Sequence, residues 1–225
     1  MNTTAQISTL TNSFSVRFLK ELLAGDRAAC QKITREYLEQ NPSIQDLYEQ
    51  VFREALYEVG RLWESNRISV AAEHLATAIT EGLLNELFEE IVSGSRHNRK
   101  VVVASVESEQ HQVGIKMVAD VFEMHGWDSF FLGAGIPTTE LIRYIQEVKP
   151  DLLAISLSVY HHYAQLVKML GQLRVYFPDL LILLGGQAIS GVPRAALEEW
   201  SPVLVVNDLY LLEKFIKTLH QANPT

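Results

Sequence analysis

A chain of 225 residues, 48% of them hydrophobic, is long enough for one large domain or two small ones with a substantial core. Its formal net charge of -8 argues against a surface that binds nucleic-acid phosphates, and its single cysteine, Cys30, excludes an internal disulfide. The polar N-terminal residues lack the order of a signal peptide and no apolar run reaches membrane-span length. We therefore expect a cytoplasmic protein with no direct nucleic-acid or membrane partner.

The first part of the chain has helical periodicity from about residue 13 to residue 92. Gly25 and Asp26 supply a helix stop followed by an N-cap, Asn41 and Pro42 supply a break, and Ser69 supplies another N-cap. These signals predict helices over residues 13–25, 26–40, 43–64 and 69–91. Four helices with short connections indicate a four-helix bundle.

A small, polar and basic stretch, residues 93–100, follows the bundle and is typical of a linker. We place the domain boundary inside it, giving domains of residues 1–97 and 98–225. Beyond it the pattern predicts strands over residues 100–106, 128–132, 151–158, 180–184 and 203–206, with helices between and after them. This alternation indicates an α/β fold with a five-stranded, parallel, flavodoxin- or Rossmann-like sheet covered by helices on both faces.

Three unusual loops follow strands of this sheet and should meet at one edge, since the carboxyl ends of parallel strands lie together. The first runs from Glu109 to Gly114 and contains His111, the second begins at Ser156, and the third contains Gly185 and Gly186. Ligands bind at this edge in open α/β folds. Serine and tandem glycine residues there predict a slot for a long planar or tailed ligand.

The three loops resemble a known signature. Glu109-x-His111-x-x-Gly114, then Ser156, then Gly185-Gly186, is similar to the Asp-x-His-x-x-Gly, Ser-x-Leu, Gly-Gly signature of methionine synthase, the corrinoid methyl carriers and the cobalamin mutases. The resemblance implies that His111 replaces the cofactor's own base as the lower axial ligand of cobalt. It also implies that the nucleotide tail occupies the serine and glycine slot, and that Glu109 bonds the other imidazole nitrogen.

The sequence departs from this signature at three positions. Glu109 replaces the usual aspartate, Ser158 stands where the signature has leucine, and His162 stands where methionine synthase has a second serine near the carboxylate. Besides His111, the residues that the resemblance assigns to the cofactor in this domain are Glu109, Gln110, Gln112, Val113, Gly114, Ser156, Ser158, Val159, His162, Gly185, Gly186 and Gln187.

A second resemblance lies in the helical part. Trp63, then nine residues, then Glu73-His74 is similar to the Trp-x9-Glu-His signature of light-sensing cobalamin-binding transcription regulators. It implies that the bundle caps the upper axial group through Trp63, Val70, Glu73 and His74. We expect the DNA-binding domain of those regulators to be absent. Glu64 replaces the histidine that some of them carry after the tryptophan, so a bis-histidine state is not expected from that position.

Together these features predict a cobalamin-binding sensor, a light-responsive photoreceptor that signals to a protein effector without catalysing a reaction. Adenosylcobalamin is the expected cofactor, methylcobalamin is an alternative, and homo-oligomer formation stays open. Two rival functions remain: a corrinoid protein that carries a methyl group for methyltransferases, and a cobalamin storage or delivery module. Taken singly, His111 also fits a solvated loop histidine, Trp63 a bundle-core residue and Glu73 a first-turn acid.

Overall fold

The computed structural model describes residues 13–92 and 94–222. The first twelve residues and Ser93 of the predicted linker lie outside the described residues. The chain forms two compact units, Met1–Glu89 and Glu90–Thr225, which are described separately. The domain boundary between residues 97 and 98 stays a prediction.

The first unit is helical. Its helices are α1 (Ser13–Ala24), α2 (Arg27–Gln40), α3 (Ile44–Leu47), α4 (Glu54–Glu64) and α5 (Val70–Glu86), and the short α6 (Phe88–Ile91) crosses into the second unit. A π-helical segment, Tyr48–Arg53, joins α3 to α4 in one continuous run. The side chains of Asp26, Ser43 and Ser69 accept a backbone N–H at the start of α2, α3 and α5, as expected of N-caps.

The predicted fourth helix, residues 69–91, is interrupted. Helix α5 ends at Glu86, and Leu87 closes it with its backbone N–H bonded to preceding carbonyl groups. On either side of the interruption, Leu87 and Ile91 are buried while Phe88 is exposed. A continuous helical pattern could not show this, because both leucine and phenylalanine suit a buried position.

The second unit is built on five strands: β1 (Lys100–Ser105), β2 (Asp128–Gly133), β3 (Leu152–Ser156), β4 (Leu181–Gly185) and β5 (Val203–Val205). All adjacent pairs are parallel, in the order β2-β1-β3-β4-β5. This is the strand order of the flavodoxin-like doubly wound fold. The predicted α/β class and five-stranded parallel sheet are confirmed.

Helices cover both faces of this sheet. They are α7 (Val113–Met124), α8 (Thr138–Val148), α9 (Tyr163–Tyr176), α10 (Ala195–Glu198) and α11 (Leu209–Ala222). Alternate strand residues such as Val102, Leu153 and Ile182 pack with α8 and α9 in one cluster. Helices α7 and α11 contact each other, and α7 packs on β1 and β2. Short helical turns at Tyr160–His162 and Gln187–Gly191, together with α10, were not predicted.

One row of small residues crosses three strands at their carboxyl ends. Ser105 pairs in register with Ser156, and Ser156 with Gly185. Their strand neighbours Ala104, Ile155 and Leu184 belong to the cluster under α8 and α9. Because successive side chains of a strand point to opposite faces, the row lies on the other face. The predicted third strand extends to residue 158, but pairing ends at Ser156, which releases the next residues into a loop.

Within the described part of the chain, no helix combines the length and the apolar character needed to cross a membrane.

Candidate functional site

The centre of the candidate site is the carboxylate of Glu109, which is 0% exposed. It lies on the loop after β1, where a turn bonds the Glu109 N–H to the carbonyl of Val106 (2.9 Å). Ser108 adopts a positive φ of 73° in this turn. Such a backbone is unusual for serine, and outliers of this kind often occur at functional sites. The side chain of Glu109 contacts His111, which lies two residues later on the same loop.

The two oxygens of this carboxylate accept different sets of donors. Oε1 contacts Nδ1 of His111 and accepts the backbone N–H groups of Gln110 and His111 at 3.2 and 3.4 Å. Oε2 accepts the backbone N–H groups of Ser158 and Val159, both at 3.2 Å, and contacts Nδ1 of His162 at 3.1 Å. Glu109 thus joins the loop after β1 to the loop after β3.

These contacts keep Glu109 ionised. Burial by itself raises the pKa of the carboxyl group, but the hydrogen bonds from His111 and His162 outweigh it and lower the pKa from 4.5 to about 2. The site therefore holds a buried negative charge next to the imidazole of His111. A carboxylate at Nδ1 fixes the proton there and places the lone pair on Nε2, which makes that nitrogen a better metal donor.

His111 itself is half-exposed, with 50% of its side chain accessible. Its carbonyl oxygen accepts the hydroxyl of the buried Ser105 at 3.0 Å, so the loop is tied down from the sheet. Ser105 was not predicted as a site residue. Its position at the last residue of β1, directly below the loop, is the signal that could have identified it.

The other residues of this loop approach the loop after β2, which the sequence did not indicate. The side-chain oxygen of Gln112 accepts the N–H of Ala134 at 3.3 Å. The amide nitrogen of Gln110 lies 3.7 Å from the position of a Cβ on Gly135. Val113 opens α7 and is buried, whereas a Cβ on Gly114 would meet nothing within 4 Å. Of these residues, Gln110 and Gly114 are exposed at this edge.

Glu107 is a further residue at this edge of the sheet that the sequence analysis did not identify as part of the site. Its Oε2 accepts the N–H and hydroxyl of Thr138 at 3.2 and 2.6 Å, and the side-chain amide of Gln165 at 2.9 Å. The hydroxyl of Thr138 is the largest cause that lowers the pKa of Glu107. Because Thr138 opens α8 and Gln165 lies in α9, Glu107 fixes both helices relative to the β1 loop.

The loop after β4, which contains Gly186, packs against the loop after β3. Gly186 has a φ of 99°, and a Cβ there would lie 2.3 Å from the carbonyl oxygen of Leu157. The N–H of Ala188 donates to that oxygen at 3.1 Å. Glycine at 186 is therefore required by the protein's own backbone. Ser156 is buried, while Gln187 is exposed at the start of its helical turn.

In the first unit, the residues of the Trp63 motif lie at the end of α4 and the start of α5. Trp63 lies one residue before the end of α4 and is 42% exposed, and Val70 opens α5 and is 52% exposed. Glu73 contacts Nδ1 of His74 and accepts the hydroxyl of Thr77 at 3.1 Å. The exposure of Trp63 does not fit the alternative interpretation as a bundle-core residue. We call Trp63, Val70, Glu73 and His74 the bundle patch.

The donors at the sheet edge fit a cobalt that is already held in a macrocycle. In residues 13–92 and 94–222, no group of three or more histidine, cysteine, aspartate or glutamate side chains could hold a metal ion by itself. His111 offers a nitrogen donor backed by a buried carboxylate. A cobalt held by a corrin ring and an upper group would need one such nitrogen from the protein, which His111 could supply. The Ser105, Ser156 and Gly185 row presents no bulky side chain along its face.

Comparison with known proteins agrees with this chemistry. Residues 99–206 match the family model described as B12 binding domain, and residues 16–88 match a second model with the same description. The HTH-type transcriptional repressor CarH of Myxococcus xanthus is 28% identical over 166 residues, which cover 73% of this chain and 54% of that protein. Trimethylamine corrinoid protein 1 of Methanosarcina acetivorans is 24% identical over 136 residues, 58% of this chain and 62% of the relative.

The chain thus spans a little over half the length of these two curated relatives. Among solved structures, the monomethylamine corrinoid protein of Methanosarcina barkeri superimposes with a TM-score of 0.77. The match covers 92% of this chain and 98% of that one at 13% identity, so it shows a shared fold. The chain thus contains two regions, residues 16–88 and 99–206, that each match a B12 binding domain model.

Proposed function

We propose that the protein is a cobalamin-binding sensor module, with His111 as the lower axial ligand of a base-off cobalamin. The observation that carries the proposal is the buried, ionised Glu109, which fixes the proton of His111 at Nδ1. Cobalamin would supply a cobalt–carbon bond to an upper group that can be broken. The protein's own part is to hold the ring, orient it and respond when the upper group changes.

Ser156, Gly185 and Gly186, with Ser158, Val159 and Gln187 beside them, are the proposed slot for the nucleotide tail. Small side chains along the Ser105 row support this assignment, because a tail can approach the strands there only where side chains are short. Gln110, Gln112, Val113 and Gly114 are the proposed contacts next to His111. Glu109 and His162 would act through His111 rather than on the cofactor itself.

The test of the metal ligand compares two histidine variants. The protein is loaded with cobalamin and its visible spectrum recorded for wild type, His111→Ala and His161→Ala. His111→Ala should lose the histidine-ligated spectrum, whereas His161→Ala removes an exposed histidine of the neighbouring loop and should keep it. Retention of the wild-type spectrum in His111→Ala would exclude His111 as the ligand.

The bundle patch favours a sensor that distinguishes upper ligands. Trp63 exposes an indole and Glu73 holds His74 by a side-chain contact, so the patch offers an apolar surface and hydrogen-bonding groups to a polar upper group. The similarity to the transcriptional repressor CarH over 73% of this chain supports a regulatory function. We propose adenosylcobalamin as the cofactor, light as the stimulus and a protein as the effector.

The corresponding experiment loads the protein in darkness with adenosylcobalamin or methylcobalamin and then illuminates it. A sensor should change both its spectrum and its elution volume in size-exclusion chromatography. Trp63→Ala should change the preference between the two cobalamins. Tyr210→Ala, which removes an aromatic residue of equal 42% exposure in the other unit, should not. An elution volume that light leaves unchanged would count against the sensor.

A corrinoid methyl carrier is the second candidate function, and the 24% identical trimethylamine corrinoid protein 1 supports it. A carrier would use the same His111 but would pass a methyl group to a partner methyltransferase. It should therefore bind methylcobalamin at least as well as adenosylcobalamin, and Trp63→Ala should leave that preference unchanged. A storage or delivery module should release cobalamin unchanged to an acceptor in both light and darkness.

A further inference from the structure

A cluster of histidine residues surrounds Trp127 at the amino-terminal edge of the sheet, the edge opposite the candidate site. Trp127 is buried and directly precedes β2. Its indole Nε1–H donates to Nε2 of His220, near the end of α11, at 3.0 Å. Since an indole nitrogen can only donate, Nε2 of His220 must be an unprotonated acceptor. The contact exists only while His220 is neutral.

The surroundings of His220 disfavour its protonation. The ring of His97 lies 4.2 Å from that of His220, measured between centroids. Burial is the largest cause that lowers the pKa of His220, followed by the positive charges of His97, Arg99 and His125. The C-terminal end of α11 favours a cation at His220, which lies in its last turn, but the effects that lower the pKa of His220 outweigh it.

The nearby acidic groups are already engaged with other cations. Arg96 contacts Glu123 at 2.7 Å and Asp128 at 3.8 Å. On α11, Glu213 contacts Lys217 at 2.6 Å and Nε2 of His125 at 3.5 Å. A protonated His220 would therefore face Arg99, whose guanidinium lies 5.6 Å over the Trp127 ring, together with His97 and His125.

The same cluster holds two chain segments in place. Residues 94–99 lead into β1, and there the N–H of His97 donates to the carbonyl of Gly126 at 2.9 Å. A Cβ on Gly126 would lie 2.2 Å from the carbonyl oxygen of Ser95, so this segment packs directly on the turn before Trp127. Arg99 donates to the carbonyl of Leu219 in α11 at 3.3 Å.

We propose that Trp127, His220 and His97 form an acid-sensitive latch that docks the end of α11 and residues 94–99 against the sheet. At neutral pH, His220 is neutral and accepts the indole N–H. When His220 gains a proton, it loses that acceptor and places a cation beside His97, His125 and Arg99. The end of α11 then separates from Trp127. The latch gives the second unit a response to acid that does not depend on the cofactor site.

The direction of the pH dependence of docking follows from proton linkage. A histidine whose pKa is lower in the docked than in the undocked state binds a proton more tightly after undocking. Docking is therefore at full strength above the ordinary histidine pKa of about 6.5 and weakens as the pH falls below it. Between this pH and the pKa of docked His220, each decrease of one pH unit should increase the open population about tenfold.

The experiment follows Trp127 in the full chain. In a Trp63→Phe/Trp200→Phe background, Trp127 is the remaining tryptophan, because the chain has 3. Its emission is recorded from about pH 8 to about pH 5, around the ordinary histidine pKa. Amide hydrogen exchange of residues 209–220 and 94–99 is measured over the same range. Acid should quench Trp127 and raise exchange in both segments together.

His220→Gln keeps a side-chain acceptor but cannot gain a proton, so its emission and exchange should not change with pH in this window. His161→Gln removes an exposed histidine elsewhere and should behave like wild type. If His220→Gln does not fold, His97→Gln serves instead: loss of one neighbouring charge should bring the pKa of docked His220 closer to its ordinary value, so that acid favours the open state less and the transition moves to lower pH. A wild type without a transition, a transition retained in His220→Gln, or a midpoint unmoved in His97→Gln would overturn the latch.

Discussion

The replacement Glu109→Gln tests the central feature of the candidate site. In the wild type, the two carboxylate oxygens accept only N–H groups, from His111 and His162 and from the backbone. A glutamine presents an NH2 group in place of one oxygen, so donors on that side face another donor. The buried charge beside the two imidazoles is also lost. Both the stability of the loop and the donor strength of His111 should fall.

The size of the effect follows from the pKa of Glu109, which lies at about 2 against the ordinary 4.5. This difference corresponds to a preference of about 3 kcal/mol for the ionised over the neutral side chain in the folded state. Glu109→Gln should therefore lower the free energy of unfolding by roughly 3 kcal/mol at pH 7. Because the folded-state pKa is depressed, this stabilisation is complete above about pH 4.5 and disappears as the pH falls towards about 2.

Urea denaturation followed by circular dichroism measures this loss, and the spectrum of the cobalamin-loaded protein measures ligation by His111. A matched control is Glu140→Gln, which removes an exposed acid that pairs with Arg143 on α8 and should change stability by less than about 1 kcal/mol. If Glu109→Gln is as stable as the wild type and keeps a histidine-ligated spectrum, the assignment of Glu109 as the residue that holds His111 is wrong.

Three further substitutions test neighbouring contacts. His162→Ala should reduce the histidine-ligated fraction of the loaded protein, and His162→Asn, which restores an N–H donor towards Glu109, should recover most of it; equal spectra for both variants would contradict this role. Gly186→Ala should cost roughly 2–4 kcal/mol in urea denaturation, because its Cβ would lie 2.3 Å from the Leu157 oxygen, and a neutral result would refute the close approach. Arg174→Gln should lower the free energy of unfolding by roughly 2–3 kcal/mol, because the guanidinium donates to carbonyl groups next to the amino-terminal ends of β4 and β5. A loss below about 0.5 kcal/mol would show that water replaces these hydrogen bonds.

The sheet was predictable because each strand is a short apolar run bounded by polar turn residues. The helices between the strands were predicted for the same reason; α8, for example, begins after Pro137 and ends before Lys149, which adopts a left-handed conformation. The strand ends were less predictable. Ser156 to Ser158 continue a strand-like pattern, but Ser158 and Val159 turn their N–H groups to Glu109, which is distant in sequence.

The helices of the first unit also combine features that were predictable from the sequence with features that were not. The caps at Asp26 and Ser69 were predicted, because capping depends on residues within one turn. The interruption at Leu87 was not, because Leu83, Leu87 and Ile91 keep the spacing of one continuous helix and are all buried. The π-helical segment Tyr48–Arg53 likewise leaves no mark in a helical pattern of apolar residues.

The sequence alone determined that a histidine on a strand-to-helix loop, with a carboxylate two residues before it, faces the ligand-binding edge of a parallel sheet. That conclusion needs only local spacing and the rule that parallel strands end together. Tertiary structure decided how Glu109 is shared. His162, 53 positions away in sequence, takes the second oxygen of the same carboxylate, and a long-range contact of this kind has no local pattern. The same holds for Trp127 and His220, which are 93 positions apart and meet because α11 returns to the amino-terminal edge of the sheet.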